Sequence, residues 1–259
     1  MDTLKTKLNS KIKVLLINLD RATARYEKMK SRCEKAGIGF ERFPAVEGMK
    51  YAYSDKEFDE KRFRRRLGKG TNPAEIGCYL SHYKAIERFL ESDCEYGLIL
   101  EDDAIIKEDF VEIVNRLTEL DGWDFVKFNT SHDYGFGSVN VANIFKDYCL
   151  YANLFPKTLS AAYIINRKAG ESLKKNLLPM TVPYDHEMIM FWKFDIRQYS
   201  VFPSPITVNW GDSFIAQKGD KYKKFPFYKR ITVLFFRIYT QLLRTMYFYK
   251  LLRKVNPKQ

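Results

Sequence analysis

Two short apolar runs constrain this chain more than any other feature. Residues 12–18 read IKVLLIN, and residues 96–100 read YGLIL. A run without polar alternation predicts a strand buried on both faces, as in a sheet covered by helices on either side. The second run stops abruptly at Glu101-Asp102-Asp103. In an open α/β sheet, ligands bind outside the carboxyl ends of the strands. The triplet therefore puts dense negative charge where ligand sites form.

The segments between these runs have helical character. Residues 22–36 predict a helix, with Gly37 as its stop. Residues 40–46 predict a second strand, so the chain opens as strand–helix–strand. Residues 48–71 are polar and read as irregular, with a basic cluster at Lys61, Arg62, Arg64, Arg65 and Arg66. Asn72-Pro73-Ala74-Glu75 is a helix start: Asn caps, Pro fits the first helical position, and Glu at N3 bonds back to the cap amide. That helix runs to Leu90. Ile76, Leu80, Tyr83 and Ile86 form its apolar face, and Cys78, Ser81, His82 and Ala85 form a small, polar stripe. Residues 110–120 predict another helix, and residues 123–129 and 159–166 further strands. Pro183-Tyr184-Asp185 opens a helix to about Phe194, and residues 197–202 form a last strand. Strands alternating with helices predict an α/β sandwich with a mostly parallel sheet.

Charge divides the chain unevenly. The net charge is +12, yet residues 221–259 hold eleven Lys and Arg and no Asp or Glu. Residues 1–220 keep 33 basic side chains against 32 acidic ones. Two units follow, a nearly neutral body at 1–220 and a basic, aromatic tail at 221–259. Such asymmetry points to an anionic partner for the tail. Cys33, Cys78, Cys94 and Cys149 form no C-x-x-C pair, so free thiols in a reducing compartment are expected. Met1 to Lys13 is polar and unlike a signal peptide, and no run of 18 apolar residues predicts a membrane span. Composition thus predicts a cytoplasmic protein.

Adjacent carboxylates repel and raise one another's pKa unless a cation neutralises them. Hard oxygen ligands suit Mg²⁺ or Mn²⁺, which bind one or two carboxylates plus substrate phosphates. The triplet is then a metal–diphosphate site, with Glu101 and Asp103 on the metal and Asp102 on the ribose or sugar. The alternative is a solvated turn that caps the next helix. Asn18, Arg21 and Arg25 follow the first strand, where a Rossmann-like fold places nucleotide contacts. Asp185, at a helix start beyond a proline, is the candidate general base, with Glu187 second. The competing role for Asp185 is an ordinary N-cap.

Four segments together resemble glycosyltransferase family 25, which includes bacterial lipooligosaccharide galactosyltransferases and the glycosyltransferase domains of collagen-modifying enzymes. They are VLLINLDR at 14–21 followed by Arg25, FPAVEG at 43–48, EIGCYLSH at 75–82, and LILEDD at 98–103. The resemblance implies a GT-A fold, a nucleotide-diphosphate sugar donor, most often UDP-galactose, and transfer with inversion. It also implies donor contacts from Ser81 and His82. Glu47 stands where members often carry Asp, and Gly48 would let the backbone approach the nucleoside. Leu19, Val46, Glu75 and Gly77, within the matched segments, complete the donor-binding set. Asn209-Trp-Gly-Asp-Ser213 resembles the family's C-terminal polar segment loosely.

On a helix through 225–254, Ile231, Leu234, Phe235, Ile238, Leu242, Met246 and Tyr249 share one face, with Arg230, Arg237 and Arg244 beside it. Phe236, Leu243 and Tyr247 fall on the far side. This pattern predicts a helix lying in a membrane interface, drawn by anionic lipid. A C-terminal helix packed on the core, with or without a second subunit, is the alternative. The expectation is a metal-dependent enzyme moving galactose from UDP-galactose to a lipooligosaccharide acceptor at the inner face of the bacterial inner membrane. The cluster at 61–66 is a solvated loop or a contact for phosphates on the lipid-linked acceptor. The rivals are a basic nucleic-acid-binding module, which the neutral body and acidic strand end disfavour, and a relative that binds the nucleotide sugar without transfer.

Overall fold

The computed structural model describes residues 7–128, 137–208 and 224–254. Asn209–Ser213 lies outside them. The chain opens with β1 (Ile12–Asn18), α1 (Thr23–Ala36) and β2 (Glu41–Pro44), as expected for strand–helix–strand. It continues with α2 (Glu60–Leu67), α3 (Pro73–Leu90), β3 (Tyr96–Glu101), β4 (Ala104–Ile106), α4 (Phe110–Glu119) and β5 (Phe125–Lys127). Then come β6 (Ser138–Phe145), β7 (Tyr148–Asn153), β8 (Ala162–Asn166), α5 (Arg167–Asn176) and α6 (Tyr184–Glu187). A 3₁₀ turn at Phe191–Lys193, β9 (Gln198–Phe202), β10 (Ile206–Val208), a second 3₁₀ turn and α7 (Ile231–Lys254) complete the fold.

The main sheet runs β2-β1-β3-β8-β5-β9-β7-β6. Its two opening runs are buried on both faces. Val14, Leu16, Leu98 and Leu100 point into one core with residues of α1 and α4. Leu15, Ile17 and Ile99 point into the other, with α3 and α5. The chain is therefore an α/β/α sandwich, and the continuous apolar patterning has the expected cause. β1–β2, β1–β3 and β5–β9 pair in parallel. β8 enters antiparallel between β3 and β5, and β6 and β7 extend the far edge antiparallel, so the sheet is mixed. Apolar patterning carries no strand direction, which is why these pairings were not legible.

Three local expectations are corrected. Residues 60–67 form α2 rather than irregular chain. Asp59 caps it by accepting from the Arg62 amide at 2.9 Å, and Phe63 anchors it in the core. The helix expected from Tyr184 to Phe194 breaks after Glu187 into a 3₁₀ turn, which lets Met188, Phe191 and Phe194 all reach the core. The capping box of α3 is half formed. Asn72 Oδ1 accepts from the Ala74 amide at 3.0 Å, but Glu75 turns to Lys69, 2.5 Å away. Gly37, with φ +72°, ends α1 as expected. All four cysteines are free.

Asp124 ties three elements together at the amino end of β5. Its buried carboxylate accepts from the Arg197 amide at 2.8 Å, the Arg197 guanidinium at 3.1 Å, Lys168 at 3.0 Å and Asn166 at 3.2 Å. These donors hold its pKa down to about 2 against the upward push of burial. A depressed carboxylate pKa stabilises the fold above its unfolded value, and that stability is lost as pH falls through the folded value. Asp124→Asn is expected to lower unfolding free energy by about 2 kcal/mol at pH 7. The gap to wild type in urea titrations should close between about pH 4 and pH 2.

Candidate functional site

A cleft opens at the carboxyl ends of β1 and β3. It is about 890 Å³ counted to its open mouth. β1 delivers Asn18 and Leu19, the following turn and α1 deliver Arg21 and Arg25, and β3 delivers Glu101, Asp102 and Asp103. Val46, Glu47 and Gly48 come from the segment after β2, and Ser81 and His82 from α3. Twelve residues expected at the metal or donor site thus share one cavity. Gly77 lies directly behind its wall, where a Cβ would sit 2.5 Å from the Val46 carbonyl oxygen and 2.6 Å from the Gly48 nitrogen. A Cβ on Gly48 would overlap the Pro73 carbonyl oxygen. Both glycines therefore permit the close approach of the 45–48 segment to α3. Ser81 Oγ locks the same contact, accepting from the Val46 amide at 2.8 Å and donating to the Gly77 carbonyl at 2.6 Å.

The three carboxylates of the triplet meet different surroundings. Asp102 is buried; Asn18 Nδ2 donates to it at 2.7 Å and the Arg25 guanidinium pairs with it. Burial pushes its pKa up while Arg25 and Asn18 pull it down. Asp102 therefore acts as an anchor between β1, α1 and β3. Glu101 Oε1 lies 3.1 Å from His82 Nε2. The Tyr184 hydroxyl donates to Tyr163 at 2.7 Å, which leaves the Tyr163 proton for His82 Nδ1 at 3.0 Å. Nε2 then carries the ring proton and donates it to Glu101. The Tyr184 ring stacks on His82 at 4.0 Å, so the imidazole is fixed in tautomer and in plane.

Asp103 is the least satisfied of the three. Among the described residues its buried Oδ1 has no hydrogen-bond partner, and Arg25 is 3.6 Å from its Oδ2. Burial and the neighbouring Glu101 charge push its pKa up to about 7. An orphaned carboxylate oxygen beside a second carboxylate fits a hard divalent cation. Cys78, which sequence reasoning left on the small stripe of α3, also lines the cleft, and its sulfur groups with His82 and Glu101 within 4.8 Å. Burial raises its thiol pKa well above the ordinary value, so it is a poor donor for Mg²⁺ or Mn²⁺. Its place one turn before His82 was the signal available.

Arg21 pairs with Glu47 across the mouth at 2.8 Å. Glu75 is held by Lys69 and does not line the cleft. Asp185 sits half-buried at the start of α6, where it accepts from the His186 amide at 2.9 Å. Its charge reaches Cys78 and also Lys127, a fully buried amine whose pKa burial lowers to about 8. Lys127 at the end of β5 donates to the Lys157 carbonyl at 2.8 Å; nothing in its strand context marked it beforehand. Glu187 is corrected as a candidate base. It has no accessible surface and pairs with Lys193 at 2.5 Å, so it cannot reach an acceptor hydroxyl.

The family model described as glycosyltransferase family 25 (LPS biosynthesis protein) matches residues 11–188. The chain belongs to glycosyltransferase family 25. The matched stretch holds every residue of the cleft. A glycosyltransferase 25 family member of Anopheles gambiae is 33% identical over 126 residues, covering 44% of this chain and 21% of that protein. One of Drosophila melanogaster is 32% identical over 127 residues, covering 45% of this chain and 20% of that protein. The chain thus spans about a fifth of the length of these curated relatives. Among solved structures, it is similar to a glycosyltransferase involved in the glycosylation of the major capsid of PBCV-1. That similarity has a TM-score of 0.37 and 15% identity, covering 73% of this chain and 80% of the other.

In this family 25 member the 45–48 segment and α3 line the cleft together and meet in close backbone contact. Gly48→Ala is expected to cost about 1–3 kcal/mol through overpacking against backbone. Chemical denaturation would measure the cost, and a variant as stable as wild type would refute the close approach.

Proposed function

We propose that the protein transfers a sugar from a nucleotide diphosphate to an acceptor hydroxyl with inversion, and that the cleft at Glu101-Asp102-Asp103 is its donor site. The observation that carries this reading is the orphaned Asp103 oxygen beside Glu101, in a family 25 chain. Glu101 and Asp103 would hold Mg²⁺ or Mn²⁺, which would neutralise charge on the leaving diphosphate. Arg21 and Glu47 at the mouth and Asn18 at the end of β1 line the nucleoside side. Asp185 takes the proton of the acceptor hydroxyl as that oxygen bonds to the anomeric carbon and the bond to the diphosphate oxygen breaks. UDP-galactose and a lipooligosaccharide acceptor are the substrates that the family resemblance favours.

Residues 1–220 form the transferase unit in this reading, and the tail brings it to a membrane. No helix among the described residues is long and apolar enough to cross one. α7 instead exposes the predicted apolar face, from 50% for Ile238 to 69% for Met246. Val233, Phe248 and Leu251 pack inward. With the tail free of acidic residues, that outer face suits a peripheral seat on anionic lipid at the inner face of the inner membrane.

Turnover of UDP-galactose with Mn²⁺, and its loss in excess EDTA, is the first test; full turnover in chelator would remove the metal. Asp103→Asn should abolish turnover. Asp185→Asn should lower kcat about 10²–10⁴-fold while donor binding is kept. A variant at Asp185 with wild-type kcat would move the base elsewhere. Leu234→Glu with Met246→Glu should release the protein from phosphatidylglycerol vesicles in co-sedimentation without changing turnover in solution.

A further inference from the structure

A second cleft lies away from the donor site, between α2, the 181–190 segment and α7. It measures about 1180 Å³ to its open mouth. Among the described residues its walls carry three arginines, Arg66, Arg237 and Arg244, with His186 beside them, and no Asp or Glu. Two of the guanidiniums, those of Arg66 and Arg244, are held by neighbours, while Arg237 is exposed. Arg66 donates to Thr181 Oγ1 and lies over the Phe236 ring, 4.9 Å from its centroid. Arg244 donates to Gln241 Oε1 at 2.8 Å and lies 5.7 Å from the Trp192 ring centroid. Among the described residues, none of the three makes a carboxylate ion pair. Burial holds Arg66 and Arg244 below the usual guanidinium range, a direction that an anion would reverse. Thr240 and Gln241 are the uncharged polar residues of the lining, and the rest of it is apolar, including Val182, Met190, Ile238 and Leu242.

Ile238 and Leu242 belong both to this lining and to the exposed face of α7. The cleft therefore opens beside the apolar strip rather than into free solvent on all sides. A cleft walled by arginines, two partly buried and one at the surface, and bordered by an apolar strip matches a phosphate group attached to a hydrocarbon chain. Planar guanidiniums suit phosphate oxygens, and the chain continues along the helix face. We infer that this cleft binds the phosphate-bearing headgroup of a membrane lipid, with Arg66, Arg237 and Arg244 as its anion contacts. The inference deepens the membrane seat proposed above and rests on it for the lipid's approach.

Equilibrium dialysis of the full chain against dihexanoyl phosphatidic acid, below its micelle concentration, tests the cleft without a bilayer. Saturable retention is expected. Arg244→Gln and the exposed Arg237→Gln should each weaken it about tenfold or more. Arg237 is on the surface, so its substitution leaves folding intact. Dihexanoyl phosphatidylcholine and inorganic phosphate should be retained far less. No saturable retention, equal retention of inorganic phosphate, or unchanged affinity in both variants would each overturn the inference. Vesicle co-sedimentation separates the two readings. Vesicle binding without retention of the soluble lipid would sink the cleft and leave the membrane seat standing. Retention without vesicle binding would do the reverse.

Discussion

The structure depends on where three adjacent carboxylates put their charge. β3 ends in Glu101-Asp102-Asp103, and each acid is met by a different element. Asn18 and Arg25 take Asp102, which fastens β1 and α1 to the end of β3. His82 takes Glu101, and the buried tyrosines behind it fix the imidazole, which fastens α3 and α6 to the same point. Among the described side chains, Asp103 gets a share of Arg25 alone. Repulsion and desolvation therefore collect on one oxygen, the usual arrangement where a cation or a substrate completes the set. The fold gives two of the three carboxylates dedicated partners and leaves the third with the least compensation.

A second constraint acts through backbone alone. The 45–48 segment lies against α3 so closely that neither Gly48 nor Gly77 has room for a Cβ. Ser81 Oγ joins the two surfaces from one turn further along the helix. That contact places Cys78, Ser81 and His82 on the cleft side of α3 and turns Ile76, Leu80 and Ile86 into the core. The small, polar stripe is small because backbone passes over it. It is polar because its far end meets the carboxylates.

Much of this was legible beforehand, for identifiable reasons. β1 and β3 announce themselves because both faces are covered, so no solvent face interrupts the apolar run. α3 announces itself through Asn72 and Pro73. The cleft residues are legible because they cluster within four matched segments. α2 was hidden because five of its eight residues are basic and only Phe63 is buried. The β6–β7 hairpin was hidden because β6 is an edge strand with no buried residue, so burial imposes no clear alternation on it. Glu75 misled because a capping box and a nearby lysine compete for the same carboxylate, and only packing decides between them. Glu187 misled because a local motif cannot show that a side chain points inward to Lys193.

α7 raises a different question, since its apolar residues surround the helix. A helix apolar all round is ordinarily buried. Here Val233, Phe248 and Leu251 are buried against the body, while Leu234, Phe235, Leu242 and Met246 stand exposed. The imperfect amphipathicity of the sequence is thus two overlapping faces, one for the protein and one turned away from it. Core packing accounts for the first face and leaves the second unexplained. A second copy of the chain could cover apolar surface, but residues 221–259 carry eleven cations and no acid, a poor composition for such an interface. Like charges repel there, whereas an anionic lipid surface attracts them and solvates the apolar strip at once. The membrane seat proposed for α7 would answer both the charge and the apolar strip, which a twin would not.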